Sequence, residues 1–138
     1  MGMDQAVTFP QAIPTWNAVQ ELLAGRGYPV LMRMIDGQLA FPDEAPPEDW
    51  RELRVGTPAG MVTVRREPGQ MVLVVWGNAD AGLRQAWNAL AWAAAEAGGG
   101  QVRTVEGALG AADYRRRAEL PEALREGPSA GPGKEQPS

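Results

Sequence analysis

The chain has 138 residues, 44% of them hydrophobic, a formal net charge of −4, and neither cysteine nor histidine. A body of this size buries roughly two-thirds of its unfolded surface and needs no covalent staples. The missing residues exclude disulfides, thiolate chemistry, a Ser-His-Asp triad, a Cys-His pair and any histidine metal site. The only lysine, Lys134, and the only serines, Ser129 and Ser138, lie in the C-terminal tail. An enzyme built here would have to use Asp, Glu, Arg, Tyr, Thr or backbone groups, so a non-enzymatic protein without cofactor or metal is expected.

Residues 1–12 read as an extended lead-in. MGMDQAVTFPQAIP has no basic region followed by an apolar run, so no cleaved signal peptide is expected, and no apolar stretch reaches the ~20 residues that span a bilayer. A cytoplasmic protein without membrane contact is the expectation. Pro14 sits where a helix starts, and Trp16, Val19, Leu22 and Leu23 recur at helical spacing until Gly25 and Gly27 stop it. In PVLMRMIDGQLAF, Asp36-Gly37 between apolar runs is a hairpin signal, because a type I′ turn needs positive φ at both central residues. A proline-broken loop, PDEAPPED, leads into WRELRVGTPAGMVTVRREPGQMVLVVWG, which predicts three short strands. Met71 to Trp76 is apolar throughout and predicts a central strand buried on both faces.

A long helix is predicted from about Ala79 to Ala97, capped by Asn78 or Asp80 and ended by Gly98-Gly99-Gly100. QVRTVEG suggests a further strand. ALGAADYRRRAELPEALREG suggests a weaker helix interrupted at Pro121, and residues 127–138, polar and rich in Pro, Gly and Ser, suggest a disordered tail. Helices before and after a run of hairpin-linked strands indicate α+β: a curled antiparallel meander of about five strands. The N-terminal helix and the long helix should pack on one face. Residues 1–126 form the single domain on this reading.

Four features bear on function. In the strands, charges alternate with apolar residues, and Arg33, Arg54 and Arg65 mark a wet face carrying mostly arginine. Cross-strand ion pairing explains such a face, and partner binding is the alternative. Asp43, Glu44, Glu48 and Asp49 make an acidic loop whose spacing matches no calcium site; a solvated loop is the plainer reading, and a patch that recognises a basic partner the other. Arg115, Arg116 and Arg117 are expected to pair with Glu119, Glu122 and Glu126 along a helix rather than with phosphates, and the acidic balance also argues against nucleic acid. GNADAG, Gly77 to Gly82, joins strand to helix like a phosphate loop but lacks the Lys-Ser/Thr pair, and reads as a capped turn.

The two tryptophans of LRQAWNALAW raise the sharpest question. At 100° per residue, Leu83, Trp87, Leu90, Ala94 and Ala97 share a core stripe, while Trp92 falls opposite it among Gln85, Asn88 and Glu96. Either the chain beyond Gly100 covers Trp92, or Trp92 with Asn88 and Gln85 anchors a partner. The expected function is a small acidic protein-binding module (an adaptor, inhibitor, immunity factor or chaperone-like protein) whose partner is another protein, of basic character, or a second copy. The order of its elements is similar to that of small acidic bacterial chaperones and immunity proteins, a likeness of fold alone. The alternatives are a small-molecule domain with an apolar pocket between sheet and long helix, lined by Trp76, Met32 and Met34, and an enzyme using the acidic loop.

Overall fold

The computed structural model describes residues 3–76 and 78–125. The tail expected to be disordered lies outside these residues, as does Gly77. Eight antiparallel strands form one open sheet: β1 (Met3–Thr8), β2 (Leu31–Ile35), β3 (Gln38–Leu39), β4 (Glu52–Thr57), β5 (Gly60–Glu67), β6 (Gln70–Val75), β7 (Gln101–Thr104) and β8 (Gly107–Gly110). Their order across the sheet is β3-β2-β4-β5-β6-β1-β7-β8. The α+β class and the curled antiparallel sheet are as expected; the number of strands is not. The lead-in enters the sheet as β1 between β6 and β7, so the meander is interrupted by a strand from the opposite end of the chain. The single extra strand expected near residue 101 is a hairpin, β7 and β8, turning at Val105-Glu106.

Three helices are described: α1 (Trp16–Gly25), α2 (Ala81–Gly98) and α3 (Ala111–Arg117), followed by a 3-10 turn at Glu122–Leu124. Thr15 caps α1 by accepting from Ala18 N–H, and Asp80 caps α2 through Oδ1 accepting from Leu83 N–H at 2.8 Å, each satisfying an orphan donor of the first turn. None of these helices is long and apolar enough to cross a membrane. The hairpin at Asp36-Gly37 has φ of 49° and 85° at its two central residues, the backbone a type I′ turn demands. Asp36 Oδ1 also accepts from the N–H groups of Arg51 (2.8 Å) and Glu52 (2.9 Å), tying the turn to β4.

The helices lie on one face of the sheet. Val7, Met32, Leu53, Val55, Val62, Val64, Met71, Leu73, Val75 and Val102 point to it and form one buried cluster with Trp16, Val19, Leu23, Leu90, Trp92 and Tyr114. β6 is central, as its composition predicts, but it is not buried throughout on both faces: Met71, Leu73 and Val75 are covered by the helices, while on the other face Val74 is buried, Val72 is half-buried and Trp76, just past the strand, is 55% exposed.

The candidate contact surface

Trp92 is 1% exposed. The covered alternative therefore holds, and the side chain offers no anchor to a partner. Its cover is unusual in being cationic: the guanidiniums of Arg26, just past α1, and Arg115, on α3, lie 5.3 and 5.2 Å from the indole ring, within cation–π range. Arg115 Nε also donates to the Leu124 carbonyl at 2.9 Å, and Leu120 and Leu124 are buried nearby in sequence. The arginine run is thus not the helical ladder expected from the sequence. Arg116 pairs with Asp113, and Arg117 with Glu106 at 3.2 Å, because the helix ends at Arg117 before Glu119 completes the spacing.

Asn88 is likewise turned inward. Its Oδ1 accepts from Gln5 Nε2 at 3.1 Å and lies 2.9 Å from the Tyr114 hydroxyl, which is also 3.0 Å from Gln5 Oε1; its Nδ2 donates to the Glu119 carbonyl at 2.9 Å. This polar knot ties β1, α2 and α3 together. Burial pushes the Tyr114 phenol up to about 12, against the smaller opposing effect of Gln5. Gln85 is half-buried at a shallow cleft with Arg116 and Glu119. Of Trp92, Asn88 and Gln85, the first two are structural, and the group forms no exposed aromatic site.

The other expected residues fare differently. On the sheet face away from the helices, the register aligns Leu39, Met34, Arg54, Thr63, Val74 and Asp4 across successive strands, with Glu52, Arg65, Val72 and Ala6 in the next row. Arg33 is the extra residue of a β-bulge between Met32 and Met34. Its side chain lies across Gly56, with Nε 3.0 Å from where a Cβ would stand. Arg33, Arg54 and Arg65 therefore share one face, as the alternation implies. Glu52 pairs with Arg65 at 3.4 Å and reaches Arg54 only at 4.0 Å, and exposed pairs of this kind contribute ~0–1 kcal/mol.

A third row on the same face was not singled out from the sequence. Leu31, Gly56 and Met61 are in register. Continuing the β5–β6 alignment by two residues sets Trp76 opposite Met61. Leu31, Met61 and Trp76 are 43%, 46% and 55% exposed. The legible signal was the end of the all-apolar run Met71 to Trp76: alternation puts Val75 toward the helices and Trp76 away from them. Met32, Met34 and Trp76 do not converge on a chamber. Met32 is packed under the helices, Met34 is half-buried on the other face, and Trp76 is exposed.

Asp43, Glu44, Glu48 and Asp49 are all exposed. Glu44 Oε1 accepts from Phe41 N–H at 3.0 Å, and segment 40–42 runs beside β2 through Ala40 N–H to Arg33 O and Met32 N–H to Pro42 O, both 3.0 Å. Among the described residues no three acidic side chains come together in a metal-holding group. Glu48 and Asp49 border clefts floored by Trp50, whose ring carries Arg66 at 4.8 Å. No family model, curated protein or solved structure matches this chain.

Proposed function

We propose that this chain is a small, non-enzymatic protein-binding module whose contact surface is the sheet face opposite the described helices. The observation that carries the reading is the row Leu31, Met61 and Trp76, three large apolar side chains about half exposed on one face of the sheet. Water-exposed apolar groups grouped in this way mark contact surfaces, and tryptophan and arginine are enriched among interface hot spots. Arg33 lies across Gly56 within the row, Arg54 is in the row beside it and Arg65 one row further. These charges supply orientation, since charges at an interface act more on specificity and encounter than on affinity. Asp43 and Glu44, next to the segment hydrogen-bonded along β2, form a second, oppositely charged zone at that edge.

The residue inventory supports the non-enzymatic half of the reading. Proton transfer at neutral pH would fall to carboxylates, Tyr28 or Tyr114; burial raises both phenols, and Tyr114, at about 12, is committed to the knot with Gln5 and Asn88.

The test is comparative capture. Wild-type protein and the variants Met61→Asp and Trp76→Ala serve as bait in an extract of the source organism, with melting temperatures measured in parallel. A protein bound by wild type and lost from both variants at unchanged melting temperature is the expected result. Equal capture by all three baits would remove this face as the contact surface.

A further inference from the structure

The sheet face opposite the described helices and the acidic residues at its β2 edge are complementary in both charge and apolarity, and they belong to the same chain. Leu39 and Phe41 are 89% and 75% exposed, and Asp43 and Glu44 follow closely. This makes an apolar–acidic ridge along residues 39–44, held beside β2, whereas Glu48 and Asp49 lie apart from it in the clefts floored by Trp50 on the helix side. The face opposite in chemistry is the apolar row of Leu31, Met61 and Trp76 with Arg33 lying across Gly56 and Arg54 in the row beside it. Among the described residues, the side chains of Arg33 and Asp43 have no hydrogen-bonding or ion-pair partner, although 40–42 is hydrogen-bonded to β2 itself. The two surfaces thus adjoin without satisfying each other inside one molecule.

We infer that the occupant of this face is a second copy of the same chain, each copy laying its 39–44 ridge on the other's Arg33, Arg54 and apolar row. A twofold interface requires that when patch i meets patch j, patch j also meets patch i. Complementary patches that adjoin at one sheet edge meet that requirement when both contacts form in the same pair, closing the assembly at two rather than propagating head to tail. Direct face-to-face stacking of the arginine rows is disfavoured by like charge, whereas ridge-on-face docking sets carboxylates against guanidiniums and Phe41 against Met61 and Trp76. The inference rests on the proposed role of the face as a contact surface and names its partner.

Sedimentation analysis of the full chain over a range of concentrations tests it. Wild type is expected to move from the chain mass to twice that mass. Two charge-reversed proteins provide the decisive arm: Arg33→Glu with Arg54→Glu on the face, and Asp43→Lys with Glu44→Lys on the ridge. Each alone should associate at least ~10-fold more weakly, because its own two patches now repel. Mixed in equal amounts they should form a heterodimer of wild-type strength, since acidic face then meets basic ridge and basic face meets acidic ridge. Restoration on mixing also shows that both variants are folded. A wild-type chain that stays monomeric throughout, a dimer indifferent to both reversals, or no restoration on mixing overturns the inference. If the chain stays monomeric while Met61→Asp still loses a captured protein, the contact face stands and only its self-association falls.

Discussion

Gly98, Gly99 and Gly100 end the long helix, and the three positions need glycine for different reasons. Gly99 has φ of 64°, the left-handed conformation of a helix C-cap, which costs a side-chain-bearing residue about 1 kcal/mol. A Cβ on Gly98 would stand 2.7 Å from Phe9 and Pro14, and one on Gly100 only 2.5 Å from the Thr8 carbonyl oxygen, where β1 and β7 approach. Gly100→Ala must displace backbone in the middle of the sheet and should destabilise by ~1–3 kcal/mol or more. Gly98→Ala should lie in the same range, and Gly99→Ala near 1 kcal/mol. Urea unfolding of the three variants checks the ranking, and a Gly99→Ala variant worse than Gly100→Ala would contradict it. The helix stop was legible as a glycine cluster; the close approach to Phe9 and Thr8 was not, because it joins residues some ninety positions apart. The same holds for Gln5. Its polarity hid a strand residue facing the helices, and only the presence of Asn88 and Tyr114 opposite it makes that position tolerable.

At the level of elements, α2 shows how a helical wheel misleads when a helix is covered on more than one side. Ala89 through Ala95 are buried without interruption, whereas Ala97, placed on the core stripe by angle alone, is exposed. The sheet takes one side, where Trp87 Nε1 donates to the Leu73 carbonyl at 2.7 Å, and α1 and α3 take others. The alanine-rich run AWAAAEA carried this information, since a helix apolar all round is buried all round. Trp92→Ala should therefore cost about 3–5 kcal/mol, the usual loss for truncating a buried aromatic. It should also loosen α3 and the 3-10 turn, because Arg115 and Arg26 lose the ring that both cover. Thermal melting with amide exchange over residues 111–125 reads both effects; a melting temperature within a degree or two of wild type would mean that the helical layer does not depend on this ring. β1 was hidden for a related reason. MDQAVT alternates correctly, with Gln5 and Val7 toward the helices and Asp4 and Ala6 away, yet a strand that pairs only with β6 and β7, more than sixty residues away, leaves no hairpin signal.

Across the whole molecule, the two ends of the sheet carry opposite pH sensitivities. At the β2–β4 end, Asp36 is held below its ordinary 3.8, chiefly by the N–H groups of Glu52 and Arg51 donating to its carboxylate. A group whose pKa is lower in the folded state stabilises above the unfolded value and loses that contribution as pH falls through the folded one. Asp36 is exposed, so the loss is local and small: the Asp36-Gly37 turn should loosen below pH 3.8 while the rest of the sheet persists. At the β8–α3 end the sign reverses. Tyr114, raised by burial from 10.0 to about 12, contributes fully below pH 10 and loses its contribution as pH rises toward 12, an effect of roughly 3 kcal/mol at most. Tyr28, also raised by burial, adds to the alkaline limb from the α1–β2 connection. Amide exchange followed from pH 3 to pH 11 should show protection lost first around residues 36–37 and 51–52 on the acid side. On the alkaline side it should be lost first in α3, with β5 and β6 the last to open. Asp36→Asn should flatten the acid response, and Tyr114→Phe should shorten the alkaline one, leaving the part due to Tyr28. Tyr114→Phe removes the hydroxyl from the knot and so lowers stability near neutrality by ~1–3 kcal/mol. The diagnostic is the slope above pH 10, not the level. A Tyr114→Phe protein that keeps the full wild-type slope would show that its phenol is not what anchors α3 to Gln5 and Asn88.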